Sequence, residues 1–228
     1  MPVHGLLILT AGAGGGAIGV ALAGSLDRLY TTRPERTQPS RLRRRAALLP
    51  PAMALLWGAC ALRALDVRHF VLMALFGTAL LSLSATDFES HLLPNRVMYP
   101  CLVAAVILSP TWPGRAAVPL LPSTSPSWVA AAVGATLSGV GGGLAGAAIM
   151  GAVFLVLPGF GLGDVKLGGL IGLILGFPAV FTGLLAGMVL GGLGAGVMLL
   201  SGRARLQTAI AYGPYLAGGA ILEMLWRR

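Results

Sequence analysis

Residues 161–200 read GLGDVKLGGLIGLILGFPAVFTGLLAGMVLGGLGAGVMLL, and their only charges are Asp164 and Lys166, both near the start. A helix that crosses the ~30 Å hydrocarbon layer of a bilayer needs about 20 apolar residues. This run is too long for one such helix. Gly176-Phe177-Pro178 interrupts it, and glycine and proline both punctuate helices. A short helix is therefore expected before the break and a longer one, ending at Leu200, after it.

The rest of the chain has the same character. Of its 228 residues, 56% are apolar and 10% charged, with a mean hydropathy of +0.85. Soluble domains carry roughly 25% charged residues, so this chain cannot coat a water-facing surface of its own size. Its 34 glycines follow no Gly-X-Y period, which excludes collagen. The polar composition of disordered chains is absent as well. The fold class is all-α: one polytopic membrane helix bundle over residues 1–228, with about eight transmembrane helices. The apolar runs lie at 5–26, 46–62, 70–86, 97–108 and 128–157, on both sides of Gly176-Phe177-Pro178, and at 208–226.

Charge sets the orientation. Residues 27–45 hold seven arginines against Asp27 and Glu35, a net of +5. Basic loops of this kind stay in the cytoplasm, so both termini are expected outside, and the overall charge of +9 needs no nucleic-acid partner. A signal peptide would have basic residues before its apolar run; the first run here has only His4 before it and is read as a span. Trp112 and Trp128 flank a Pro- and Ser-rich external segment, as interface aromatics do. Small residues recur four apart at Gly12/Gly16, Gly139/Gly143, Gly142/Gly146, Gly183/Gly187/Gly191 and Gly192/Gly196. In lipid such residues let helix backbones approach closely. Cys60 and Cys101 sit in apolar runs and suggest neither a disulfide framework nor a metal site.

Chemistry must come from the seven acidic residues. Asp27, Glu35, Asp66 and Glu223 lie at span ends or in loops among arginines, which leaves Asp87, Glu89 and Asp164. Asp87 ends one inward-running span, and Asp164 opens the run quoted above. By the charge rule both stand where a span meets the cytoplasmic face, and ionisable groups at such positions are functional candidates. At four-residue spacing Asp164 is followed by Gly168, Gly172 and Gly176, a strip against which another helix or a substrate segment could lie. Lys166 is the one lysine beside fifteen arginines. Two carboxylates without another nucleophile or metal set point to aspartic peptidase chemistry, in which a pair shares one proton. The helix poles favour charge at Asp164, near a helix start, and disfavour it at Asp87, near a helix end. That casts Asp164 as the base and Asp87 as the acid. The competing class is a proton-coupled transporter or channel with these acids as relays. Both lie at one face, however, which suits a site opening to one side.

These residues resemble the type IV prepilin peptidases, membrane aspartic peptidases of the Gly-x-Gly-Asp kind. One family motif is an Asp at the end of a span, then Pro seven residues later and often Asn; here it reads Asp87-Phe88-Glu89-Ser90-His91-Leu92-Leu93-Pro94-Asn95. The other, Gly-x-Gly-Asp-x-Lys, is matched from Gly161 through Gly163 and Asp164 to Lys166. A late Pro-Phe-Gly-Pro segment is echoed loosely by Ala211-Tyr212-Gly213-Pro214 and is given no site role. The likeness covers residues 70–219.

The resemblance implies that Asp87 and Asp164 cut a basic leader from pilin-like precursors at the cytoplasmic face of a bacterial inner membrane, with Gly161, Gly163, Lys166 and Pro94 shaping the site. Many members carry a large cytoplasmic domain after the first span, linked to N-methylation. Here residues 27–45 are short and cysteine-free, so no cofactor is expected: S-adenosylmethionine would be needed only for a methyltransferase activity. Glu89 and His91, where the family often has basic residues, are read as interface residues.

Overall fold

The computed structural model describes residues 2–29, 39–90, 93–113, 127–157, 160–201 and 211–227. Among these residues there are eight α-helices: α1 (Pro2–Leu29), α2 (Pro39–Arg63), α3 (Val67–Ser90), α4 (Asn95–Leu108), α5 (Ser127–Val156), α6 (Leu162–Leu175), α7 (Ala179–Leu200) and α8 (Gly213–Trp226). No strand occurs among the described residues. The chain is a polytopic helical membrane bundle. Each expected apolar run corresponds to one helix, and α1 and α2 both continue into the segment read as a basic loop, so that Arg41 to Arg45 belong to α2.

The helices fall into two length classes. Five stretches are long and apolar enough to cross a bilayer: Leu7–Leu26, Arg44–Arg63, Val67–Glu89, Trp128–Val156 and Ala179–Leu200. Helices α4, α6 and α8 have 14 residues each. At 1.5 Å per residue that is about 21 Å, short of the ~30 Å hydrocarbon layer. Helix α6 resolves the mismatch by lying inside the bundle: every residue from Leu167 to Leu175 is buried. Its chain leaves at Gly176, whose φ of 74° lies in the left-handed region that favours glycine, and α7 starts at Ala179.

Close backbone approach brings α6 to its partner. The strip Gly168-Gly172 lies against Gly142 and Gly146 of α5; a Cβ on Gly142 would stand 2.7 Å from the Gly176 carbonyl carbon, and one on Gly172 would overlap the Gly142 carbonyl. The strip after Asp164 thus receives a helix of the bundle. A second seam joins α7 to α8, where a Cβ on Gly187 would stand 2.7 Å from Leu216 Cα. A third joins α1 to α2, and its tight points are Gly15 and Gly19, each 2.6 Å from α2 backbone by the same measure, with Gly12 and Gly16 in ordinary contact. Gly192 and Gly196 face open space. Between the seams, Phe76, Leu80 and Leu83 of α3 share a core with Leu170, Ile171 and Ile174 of α6 and with Leu216, Ala220 and Met224 of α8. Trp112 packs on Phe76, ring centroids 5.7 Å apart, and so joins this core, while Trp128 is exposed.

Candidate active site

Four helix termini converge at one end of the bundle: the last turn of α3 and the first turns of α4, α6 and α8. The first turn of a helix leaves backbone N–H groups without intrahelical acceptors. Two of these amides are taken up by the two candidate carboxylates.

Asp87 lies in the last turn of α3 and is buried, with 6% of its surface exposed. Its Oδ2 accepts a hydrogen bond from the Gly213 N–H, 3.0 Å away, at the start of α8. The glycine is required by contact: a Cβ on Gly213 would stand 2.6 Å from that oxygen. Asp164 is half-buried, in the first turn of α6. Its Oδ2 accepts from the Gly161 N–H at 2.9 Å, while its own N–H donates to the Gly161 carbonyl at 3.0 Å. Asp164 is therefore the third helical residue reaching back to Gly161 at the cap, a reciprocal pairing that satisfies one of the free amides.

A short chain of contacts joins the two acids. Tyr212 precedes Gly213, and its ring packs on Phe160 with centroids 4.7 Å apart. Phe160 precedes Gly161, the residue bonded to Asp164. The two sequence motifs meet a second time on the α4 side. Leu93 covers Gly163, where a Cβ would come within 3.2 Å of the leucine. Lys166 donates to Asn95 Oδ1 at 2.9 Å and to the Tyr99 hydroxyl at 3.1 Å. Pro94 stands just before α4 as its N-cap. Asp87, Asp164, Gly161, Gly163, Pro94 and Lys166 are thus gathered at one end, with Lys166 directed to α4. His91 lies outside the described residues.

Three features of this end differ from the sequence reading. The helix-pole argument set Asp87 apart as the less charged acid, but the first turn of α8 faces its carboxylate and offsets the pole of α3. Gly213, given no role, holds Asp87; the echo Tyr212-Gly213-Pro214 was the available signal. Glu89, read as an interface residue, pairs with Arg45 of α2: Arg45 Nε donates to Glu89 Oε1 at 2.8 Å, and a second nitrogen of the same guanidinium bonds Oε2. Between α2 and the last turns of α3 a cavity of about 590 Å³ is lined by Leu48, Leu49, Ala85, Phe88 and Pro214, with the Arg45–Glu89 pair in its wall; neither acid lines it.

Residues 74–196 match the model of the type IV leader peptidase family. The prepilin leader peptidase/N-methyltransferase of Bacillus subtilis (strain 168) is 27% identical over 190 residues, covering 80% of this chain and 68% of that protein. No solved structure matches the chain. With its matched segment spanning both acids and more than half of the sequence, the chain belongs to the type IV leader peptidase family.

Proposed function

We propose that this protein is an aspartic endopeptidase that removes the basic leader from type IV pilin-like precursors at the cytoplasmic face of a bacterial inner membrane. The observation that carries the reading is the meeting of Asp87 and Asp164 at one end of the bundle, each on a helix-start amide and linked through Tyr212 and Phe160. Membership of a peptidase family leaves the transporter reading without support.

In this mechanism one carboxylate takes a proton from water as the water oxygen attacks the scissile carbonyl carbon. The other carboxyl, protonated, donates a hydrogen bond to the carbonyl oxygen. Collapse of the tetrahedral intermediate breaks the C–N bond, and the departing amine takes up the proton that the first carboxylate drew from water. In such a pair the two acids hold one proton between them in the resting site. A site at a membrane boundary lets the precursor's helix stay in lipid. Lys166, Asn95 and Tyr99 brace α6 against α4, which fixes the first turn that carries Asp164.

The name of the Bacillus subtilis relative includes N-methyltransferase. In the present chain the short, cysteine-free segment 27–45 supports cleavage without methylation. Mass spectrometry of a pilin-type precursor co-expressed with this protein tests both parts. The expected product begins immediately after the basic leader, unmodified, and is missing with Asp87→Asn or Asp164→Asn. A precursor left intact by the wild-type protein contradicts the proposal, and an added methyl group contradicts its second part.

A further inference from the structure

We propose that the Arg45–Glu89 ion pair is a positioning element for Asp87, an inference that rests on the peptidase reading above. The pair is unusual in its burial. Arg45 keeps 2% of its side chain exposed and Glu89 keeps 16%. Removing two charges from water costs several kcal/mol per ion, and apolar residues of similar volume often serve stability as well or better. Stability alone therefore does not explain the pair. Fixing one register is the best-attested use of such buried charges.

The geometry says what is fixed. Residues two apart on a helix are separated by about 200° around its axis and do not face each other. Asp87 points to the start of α8, where it holds Gly213. Glu89 points the other way, to α2 and Arg45. Both stand in the last turn of α3, which ends at Ser90, and terminal turns fray unless their groups are held. This turn is gripped from both sides, by an amide on one and a guanidinium on the other. The grip on the α2 side is two-pronged, and a planar fork on a carboxylate fixes orientation as well as distance. With that prong lost, the turn is held less firmly, and Asp87 shifts on the Gly213 amide. Arg45 and Glu89 thus act through Asp87 and touch no reacting atom.

The test uses the full-length protein in lipid nanodiscs with a purified pilin-type precursor. Glu89→Gln is expected to lower kcat about tenfold with KM within about twofold, as slight misplacement of a reacting group does. Arg45→Lys keeps the charge but not the fork and should fall between wild type and Arg45→Met. The exchange Arg45→Glu with Glu89→Arg should recover part of what each single change loses. The double variant Arg45→Met, Glu89→Leu removes both charges and is expected to stay folded while keeping the low kcat; normal kcat in this variant would overturn the proposal. An activity-independent readout is amide hydrogen exchange at Tyr212 and Gly213, expected to accelerate in Glu89→Gln. Unchanged kcat and unchanged exchange in Glu89→Gln, with Asp87→Asn inactive, sink this inference alone. Cleavage retained by Asp87→Asn sinks the reading on which it rests.

Discussion

The two acids at the site end are held by opposite means. Asp164 is kept in place by Gly161, three residues earlier in the same helix start. Asp87 is kept in place by Gly213, 126 residues further along the chain. The first is a local device, a carboxylate closing its own helix. The second exists only when α3 and α8 are packed, and it is correspondingly buried. A local cap survives small movements of its neighbours, because acid and donor travel together. A contact across the bundle does not, so the Asp87 side should be the more fragile half of the site.

The sharpest way to break that asymmetry is to add one methyl group to each donor glycine. Gly213→Ala places a Cβ 2.6 Å from Asp87 Oδ2 and 3.0 Å from its Cγ, so the carboxylate must move. A loss of about a hundredfold in kcat/KM is expected, the scale of an ångström of misplacement, measured by precursor cleavage in nanodiscs. Gly172→Ala disturbs the Asp164 side only by shifting its whole helix, since the new Cβ overlaps the Gly142 carbonyl. Overpacking of this kind costs about 1–3 kcal/mol, to be read as a lowered unfolding temperature with a smaller loss of rate. Lys166→Met removes hydrogen bonds to Asn95 and Tyr99 that join α6 to α4. About threefold in kcat/KM is expected, in line with the modest net worth of a hydrogen bond. Gly161→Ala closes the series: its nearest atoms would be 3.8 and 3.9 Å away. Ordinary van der Waals contact should leave activity within about twofold. Equal losses in Gly161→Ala and Gly213→Ala would remove the distinction between the two halves.

The same contrast explains what could be read from the chain. The eight helical segments, the break before α7 and the place of Asp164 at a helix start are local patterns of hydropathy, glycine and proline, and each was legible. The contacts of α3 with α2 and α8 were not. Nothing near Glu89 points to Arg45, which stands 44 residues earlier in a run of arginines that reads as a charged loop. The place of α6 was hidden for a different reason. Helices α6 and α7 are both apolar all round, and such a helix faces either lipid or a protein core. One is enclosed from Leu167 to Leu175, whereas the other exposes Leu185, Val189, Leu193 and Val197. Length was the usable clue, because 14 residues are too few to cross a bilayer alone. The packing of Trp112 on Phe76 was not legible either, because an aromatic at a span end can lie against lipid, against the core or against both.

The central claim is that Asp87 and Asp164 act as one unit on one peptide bond. Single-turnover cleavage of a pilin-type precursor by Asp87→Asn, Asp164→Asn and the double variant tests it directly, because residues that work as a unit are non-additive. The expected result is a loss of at least about a thousandfold in each single variant, with the double variant no slower than either. Substantial cleavage by one single variant, or losses that multiply in the double, would contradict a shared site.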